Sequence, residues 1–516
     1  MRHLISLLLA GTFALAPLVP VHADKAPAAS KADKHADAAE AKPPATEKTV
    51  RTEHSASING HTLKYTATAG TLIIRDDKNQ PQASVFYVAY TLDGAAASHR
   101  PVTFLYNGGP GSSSVWLHMG SFAPLRIKTA SPAATGPAPY QLVPNNDSLL
   151  DKTDLVFVDA VGAGYSRPIG KATGKDFWGV DQDVSAFARA IERYVSVNHR
   201  WNSPKFLYGE SYGTTRSAAL VDALQDKGMA FNGVILMSSI LNYGIRIPGY
   251  DESSIGYLPS YAAAAWYHDK IPNKPADLKG FLDQVRAWAS GPYAAALAQG
   301  QNLPAAQVDA IASQMAAYTG LSAQYIKDAD LRVNPSRFRK ELLRDQRLIL
   351  GRYDARFTGT DPDAAGERPE YDPSDTGISG AFVSAFHDYL DKQLNYHSDL
   401  DYRPTYGEIN KNWDWKHKAP DSRRPLPLAY VAGDLAHAMR TNPNLKVLSV
   451  NGYYDFATPF FITEYDLAHM NLDPSLRGNL QFVYYPSGHM IYLNPEALDH
   501  LKTDLSTFYD HAAPQR

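Results

Sequence analysis

Cysteine is absent from this sequence of 516 residues. Disulfides, thiolate metal sites and cysteine nucleophiles are therefore excluded, and the stability of the fold has to come from burial of a core. An excess of positive charge is also lacking, since 50 Lys and Arg residues stand against 53 Asp and Glu residues. This balance gives no basic surface of the kind that binds nucleic acid, so we expect no nucleic-acid partner.

A long apolar run lies at the N-terminus, where Met1-Arg2-His3 precedes the segment from Leu4 to Pro20 and the small-residue end at Ala23. This layout is typical of a secretory signal, and we expect cleavage after Ala23 to remove residues 1–23. A retained membrane anchor is the alternative, although the run is short and is broken by glycine and proline. We expect no membrane span in the mature chain and a periplasmic or secreted location.

The segment 24–52 is rich in Ala, Lys, Asp, Glu and Pro and contains no Phe, Trp or Tyr. Such a segment cannot bury enough apolar surface to offset the entropy lost on ordering. The composition therefore predicts a disordered linker between the signal and the folded domain.

The fold class is predicted from alternating strand-like and helix-like segments on both sides of a helical region. Alternating apolar residues between 55 and 92 indicate antiparallel strands. Further along the chain, buried strands are predicted at about 102–106, 154–159, 205–209, 233–238, 445–451 and 480–485, with helices at about 178–199 and 212–227. This βαβ pattern predicts an α/β fold with a largely parallel central sheet flanked by helices, built from residues 53–241 and 429–516.

Between residues 242 and 428 the strand signal is weak. Apolar residues recur there at helical spacing in the segments 258–268, 278–288, 304–318 and 336–349. This spacing predicts a helical cap insertion.

The motif Gly209-Glu210-Ser211-Tyr212-Gly213 fits G-x-S-x-G, the nucleophile elbow of the α/β-hydrolase fold. A serine hydroxyl needs an imidazole to accept its proton and a carboxylate to orient that imidazole. His489 follows the strand at 480–485, and Asp455 follows the strand at 445–451. The chain order Ser, Asp, His is the order of this fold. Asp466 and Asp473 are rivals for the acid, but they lie in or after a helix-like segment.

A glycine-dense segment, Asn107-Gly108-Gly109-Pro110-Gly111, follows the strand at 102–106. Such a turn presents backbone N–H groups without side-chain obstruction, and an oxyanion needs two donors of this kind. We expect these donors from Gly109 and Tyr212. A phosphate-binding loop is the alternative, but no lysine follows at P-loop spacing and the run is not G-x-G-x-x-G.

Taken together, five ordered segments resemble the serine carboxypeptidases of peptidase family S10. They are NGGPGSSS at 107–114, VDAVGAGYS at 158–166, GESYG at 209–213, NGYYD at 451–455 and SGHM at 487–490. The resemblance implies that Ser211, Asp455 and His489 form the triad and that the N–H groups of Gly109 and Tyr212 form the oxyanion hole. It also implies that Asn107, Gly108 and Glu210 bind the terminal carboxylate of a substrate and that Met490 lines the leaving-group pocket.

The implied function is a serine-type carboxypeptidase that needs no cofactor and releases C-terminal residues from peptides or proteins through an acyl-enzyme. An acyltransferase or esterase of the same family is the alternative. A third, less favoured hypothesis is a non-catalytic binding protein with the α/β-hydrolase fold. Because eukaryotic relatives usually carry disulfides, the lack of cysteine together with the form of the signal points to a bacterial secreted member.

The chain also departs from the family pattern. Leu105 and Ser121 stand where family members usually have Trp and Glu, so strict carboxylate recognition is in question. Arg126 is either a replacement cation or a solvated surface residue. Glu210 remains in place, and a carboxyl group pressed against a substrate carboxylate has to share a proton with it. We therefore expect carboxypeptidase activity to be highest at acidic pH.

Overall fold

The structure is a computed structural model that describes residues 42–420 and 422–513. The predicted signal at 1–23 and most of the predicted linker lie outside the described residues. The described part belongs to one compact unit. No helix within it is long and apolar enough to cross a membrane.

Strands in the described residues alternate with helices along most of the chain. The strands are β1 (Thr49–Ile58), β2 (His61–Arg75), β3 (Pro81–Leu92), β4 (Val102–Tyr106), β5 (Leu125–Ile127), β6 (Leu142–Pro144), β7 (Asp154–Val158), β8 (Arg167–Pro168), β9 (Lys205–Glu210), β10 (Gly233–Met237), β11 (Leu348–Leu350), β12 (Thr358–Thr360), β13 (Lys446–Gly452) and β14 (Leu480–Tyr485).

The α-helices range from single turns to segments of five turns. They are α1 (Val115–Leu117), α2 (Val180–Val197), α3 (Tyr212–Gln225), α4 (Glu252–Tyr267), α5 (Leu278–Trp288), α6 (Ala294–Leu297), α7 (Ala305–Thr319), α8 (Ala323–Asp328), α9 (Pro335–Glu341), α10 (Pro373–Lys392), α11 (Gly407–Lys411), α12 (Ala432–Thr441), α13 (Phe460–Ala468) and α14 (Pro495–Ala512).

One sheet of ten strands organises the fold. Its order is β1-β2-β3-β7-β4-β9-β10-β13-β14, with β8 paired to β3. The pairings from β7 to β14 are parallel, whereas β1, β2 and β3 pair antiparallel at one edge. The predicted α/β class with a largely parallel sheet is therefore confirmed. Strands β4, β7, β9 and β10 are buried at every position, as expected where helices cover both faces of a sheet.

The predicted linker extends too far, because part of it belongs to the sheet. β1 begins at Thr49 and pairs with β2 along its whole length. Just before it, the Glu47 carboxylate accepts hydrogen bonds of 2.8 and 2.9 Å from the Arg193 guanidinium. Backbone pairing and an ion pair need little apolar surface, so composition alone did not reveal that residues 42–52 are ordered.

The region between β10 and β13 contains helices α4 to α12 and the short hairpin β11–β12. Its core merges with the sheet domain, since Tyr261 stacks on Phe338 at 4.1 Å and contacts Phe456 at 5.4 Å between ring centroids. The helix predicted over 336–349 is wrong at its C-terminal half. Helix α9 ends at Glu341, and Arg347 adopts a left-handed φ of 58° that turns the chain into β11.

Candidate active site

Ser211 lies at the turn between β9 and α3. Its backbone has φ 61° and ψ −130°, a region that non-glycine residues rarely adopt and that places a side chain at the tip of a sharp turn. The glycines on either side have steric reasons. A Cβ atom on Gly209 would lie 2.2 Å from the Gly213 carbonyl oxygen, and one on Gly213 would lie 2.9 Å from the Tyr106 carbonyl oxygen. Strand and helix approach closely here because neither residue has a side chain.

The glycine loop after β4 packs directly against this turn. A Cβ atom on Gly108 would lie 2.4 Å from the Tyr212 nitrogen, so only glycine fits at this position. Gly109 has a φ of 107°, a conformation that also favours glycine. The hydrogen bonds within the described residues include none donated by the N–H groups of Gly109 or Tyr212. Both donors predicted for the oxyanion hole are therefore available to a ligand.

A buried arginine ties the glycine loop to the helices behind it. The fully buried Arg216 of α3 forms two hydrogen bonds of 2.7 and 3.2 Å with the Asp183 carboxylate of α2. Its remaining terminal nitrogen donates a 2.9 Å hydrogen bond to the Asn107 carbonyl oxygen. The Asn107 side-chain oxygen in turn accepts a 2.9 Å hydrogen bond from the Leu117 N–H at the next helix. These contacts fix the backbone that follows β4.

Asp455 and His489 follow the neighbouring parallel strands β13 and β14, whose carboxyl ends meet at the same edge of the sheet. The His489 Nδ1 atom lies 2.7 Å from the Asp455 Oδ2 atom, and both side chains are buried. The other carboxylate oxygen of Asp455 accepts hydrogen bonds from the backbone N–H groups of Ala457 (2.7 Å) and Thr458 (3.0 Å). This arrangement holds the imidazole through one nitrogen and leaves its Nε2 atom for proton transfer.

Thr458 is a third member of this group that the sequence analysis did not find. Its hydroxyl donates a 2.7 Å hydrogen bond to Asp455 Oδ2 and lies 2.8 Å from the Ser238 carbonyl oxygen and 3.1 Å from His489 Nδ1. Burial acts to lower the pKa of His489, the Asp455 carboxylate acts to raise it, and the net shift is upward. The geometry thus favours the imidazolium that forms when the histidine accepts a proton.

Glu210 immediately precedes Ser211, and its side chain is buried. Its Oε2 atom accepts a 2.9 Å hydrogen bond from the Tyr492 hydroxyl. Burial raises the pKa of Glu210 to about 7, although the nearby His489 and the hydrogen bonds from Tyr492 and Asn107 act in the opposite direction. At acidic pH this carboxyl group is therefore protonated and able to donate a hydrogen bond.

A cavity of about 530 Å³ connects these groups. Most of the residues predicted for the site line it, namely Asn107, Gly108, Gly109, Glu210, Ser211, His489 and Met490. Tyr212 contributes its backbone at the elbow, while Asp455 lies behind His489. Among the hydrogen bonds of the described residues, none joins the Ser211 hydroxyl to His489, and such bonds often tighten only when a substrate is bound.

The residues that depart from the family pattern lie outside this cavity. Leu105 is buried in β4, and the Ser121 hydroxyl is buried and bonds to the Leu117 carbonyl oxygen in its own helical turn. Arg126 lies in β5, half buried, and does not line the cavity either. The cation that does line it is Arg352, from the loop after β11. No motif marks Arg352 in the sequence, so it was missed.

Tyr353, next to Arg352, also contributes to the site without any motif to mark it. Its ring packs against the His489 ring with 5.2 Å between centroids. Its backbone carbonyl oxygen accepts a 2.6 Å hydrogen bond from the backbone N–H of His489. A Cβ atom on Gly488 would lie 2.4 Å from the same carbonyl oxygen, which explains the Gly-His sequence at this turn. The insertion therefore helps to position the imidazole.

The strained serine between strand and helix, the facing glycine loop and the Asp–His pair at the next strand ends define an α/β-hydrolase. A family model described as serine carboxypeptidase, peptidase family S10, matches residues 61–361. The chain belongs to this family. The matched range contains the glycine loop and the elbow, whereas Asp455 and His489 lie beyond it.

Two known proteins illustrate the relationship. The chain is 33% identical over 149 residues to serine carboxypeptidase-like 51 of Arabidopsis thaliana, and this match spans 27% of the chain and 29% of the length of that relative. The crystal structure of Kex1(delta)p, described as a prohormone-processing carboxypeptidase from Saccharomyces cerevisiae, superposes with a TM-score of 0.52 at 14% identity. That superposition covers 86% of this chain and 91% of the yeast chain, and it supports the fold.

Proposed function

We propose that the protein is a serine-type carboxypeptidase that releases C-terminal residues from peptides through an acyl-enzyme. The observation that carries this proposal is the composition of one cavity wall. Ser211, His489 and the buried carboxyl group of Glu210 line the same cavity, together with the glycine loop. A nucleophile, a base and a group able to pair with a carboxylate are thus assembled where the last peptide bond of a chain would lie.

In the acylation step, the Ser211 Oγ atom attacks the carbonyl carbon of the last peptide bond while His489 accepts the hydroxyl proton. The oxyanion that forms is stabilised by the N–H groups of Gly109 and Tyr212. As the C–N bond breaks, His489 gives its proton to the leaving amine. Water then attacks the ester, His489 accepts a proton from the water, and the serine recovers its proton when the acid is released.

Glu210 supports the choice of a C-terminal substrate. A protonated carboxyl group donates a hydrogen bond to a substrate carboxylate, whereas an ionised one repels it. Because burial raises the pKa of Glu210 to about 7, the favourable form predominates in acid. This favours tighter binding of a free-acid substrate at acidic pH, whereas proton transfer from Ser211 needs His489 in its neutral form.

Labelling with a fluorophosphonate probe tests the proposed nucleophile. Wild type should be labelled and Ser211→Ala should not. If wild type is not labelled, or if both proteins are labelled equally, the hypothesis of a serine enzyme is rejected in favour of a binding protein.

Blocked dipeptides that differ only in a free or amidated C-terminus test the peptidase assignment. The free acid should be cleaved faster by wild type. Equal rates would remove the carboxypeptidase assignment and favour the esterase or acyltransferase of the same family. That second function is supported by Leu105 and Ser121, which replace the Trp and Glu of the usual family pattern and do not line the cavity.

A further inference from the structure

Among the described residues that line the cavity, Arg352 carries the one permanent positive charge. Its side chain is exposed toward solvent rather than packed in the core. The cavity also contains the carboxyl groups of Glu210 and Asp375, but the ion pairs of the described residues do not include one formed by Arg352. The guanidinium contacts the Tyr353 side chain but has no carboxylate partner among the described residues, so its charge is available to an anionic ligand.

The backbone of Arg352 is held by hydrogen bonds, although its side chain forms no ion pair within the described residues. Its N–H group donates a 2.9 Å hydrogen bond to the Asp372 carboxylate at the start of α10. Its carbonyl oxygen accepts a 3.0 Å hydrogen bond from the Phe456 N–H, in the loop that carries Asp455. The position is thus fixed relative to both the insertion and the Asp–His pair.

Arg352 reaches the cavity from the side of His489. Its guanidinium lies over the ring of Tyr353 at 5.2 Å from the centroid, and that ring packs against the His489 ring at 5.2 Å between centroids. In acyl transfer the histidine protonates the leaving group. A cation on this side is therefore placed to contact the residue that leaves rather than the residue that forms the acyl-enzyme.

The neighbouring arginines form ion pairs or hydrogen bonds within the protein. Arg356 pairs with Asp354 and donates a 2.9 Å hydrogen bond to the Pro486 carbonyl oxygen, which braces the loop before His489. Arg339 donates a 2.9 Å hydrogen bond to the Leu350 carbonyl oxygen. The Arg352 side chain forms no ion pair and no hydrogen bond to a backbone carbonyl within the described residues, which indicates that it does not serve to hold the fold together.

We propose that Arg352 binds a carboxylate of the residue that the enzyme releases. This inference rests on the proposed carboxypeptidase function and deepens it. A guanidinium presents paired N–H donors that match a carboxylate in two hydrogen bonds. The ligand carboxylate is either the terminal one or that of an Asp or Glu side chain. Arg352 would supply the charge that Arg126, half buried in β5, does not bring to the cavity.

Two pairs of blocked dipeptides separate the sources of the carboxylate. One pair ends in leucine as the free acid or the amide, and the other ends in free glutamate or free glutamine. For wild type we expect kcat/KM to favour the carboxylate at least tenfold in one of these pairs. In Arg352→Gln that preference should fall at least tenfold, and Arg352→Lys should keep part of it. Arg368→Gln, at an exposed arginine of the same insertion that does not line the cavity, should keep the wild-type preference.

Fluorophosphonate labelling and a melting curve show whether each variant is folded with an active nucleophile. If Arg352→Gln does not fold, the comparison of Arg352→Lys with wild type, in the ratio of kcat/KM between the charged and the neutral substrate, still tests the role of Arg352. A variant that retains both wild-type preferences within twofold overturns the role of Arg352 while the carboxypeptidase function stands. A wild-type protein that shows no carboxylate preference in either pair overturns both the role of Arg352 and the carboxypeptidase function.

Discussion

The Tyr492 hydroxyl donates a 2.9 Å hydrogen bond to Glu210, a residue 282 positions earlier in the chain. This contact connects the segment after His489 to the residue before the nucleophile. It also favours the ionised form of Glu210, against the stronger effect of burial, which raises the pKa of that carboxyl group to about 7. The protonation state of Glu210 is therefore set close to neutral pH.

Substrate affinity should depend on pH through Glu210. Below pH 7 the group is protonated and donates to the substrate carboxylate, and above pH 7 it becomes ionised and repels that carboxylate. The KM of a free-acid peptide should therefore rise as the pH passes upward through about 7. In Glu210→Gln this rise should disappear. A KM that is flat from acid to neutral pH in both proteins would contradict this role.

Tyr492→Phe should move the same transition to higher pH. The lost hydrogen bond favours the ionised carboxylate, so its removal raises the pKa of Glu210 further. The KM of the free-acid peptide should then stay low over a wider range. The control is an ester substrate without a carboxylate, whose KM should show no such shift. A transition that moves to lower pH would be inconsistent with the hydrogen bond described.

Thr458→Val should lower kcat about tenfold with little change in KM. The substitution keeps the shape and removes the hydroxyl 2.7 Å from Asp455 Oδ2. A hydrogen bond to a charged group contributes about 1.5 kcal/mol, and 1.4 kcal/mol corresponds to about tenfold in rate. Thr463→Val is the matched control, because its buried hydroxyl bonds to the Ser239 carbonyl oxygen instead. Equal effects of the two substitutions on kcat would argue against a positioning role for Thr458.

Gly108→Ala should lower kcat by about 100-fold or more. The added Cβ atom would lie 2.4 Å from the Tyr212 nitrogen, one of the two predicted oxyanion donors. Loss of one such donor typically costs about 100- to 1,000-fold in kcat. Gly136→Ala serves as the control, since a Cβ atom there meets no other atom within 4 Å. A Gly108→Ala protein with wild-type kcat would show that the donors lie elsewhere.

Arg216→Met should reduce the free energy of unfolding by about 3–5 kcal/mol, because it leaves the Asp183 carboxylate buried without its partner. The change also removes the 2.9 Å hydrogen bond to the Asn107 carbonyl oxygen, so activity should fall with stability. Urea denaturation measures the first effect. Arg193→Gln, at the more exposed pair with Glu47, should cost at most about 1 kcal/mol. Similar losses at both positions would contradict the structural role of Arg216.

The features that the sequence predicted well are those imposed by local sterics or by burial. Strands β4 and β14 begin and end where predicted, at Val102–Tyr106 and Leu480–Tyr485. The elbow was predictable because the turn at Ser211 requires glycine on both sides. The three segments that carry Ser211, Asp455 and His489 were predictable as strand ends, which a parallel sheet brings to one edge.

The features that the sequence did not predict arise from contacts between distant segments. Thr458 and Tyr492 belong to no motif, and their importance depends on the folding of β13 and β14 beside β10 and β9. Arg126 is a candidate cation in the sequence, but the fold places it away from the cavity. Arg352 comes from the insertion, where the chain returns to the site after more than a hundred residues.

Mass spectrometry of a peptide digestion tests the central claim most directly. Two versions of one peptide, with a free or an amidated C-terminus, would be incubated at acidic pH with wild type and with Ser211→Ala. We predict that wild type removes residues one at a time from the C-terminus of the free acid and removes them more slowly from the amide. Ser211→Ala should leave both peptides intact. Internal cleavage, release from the N-terminus, or equal trimming by the Ser211→Ala protein would contradict the account.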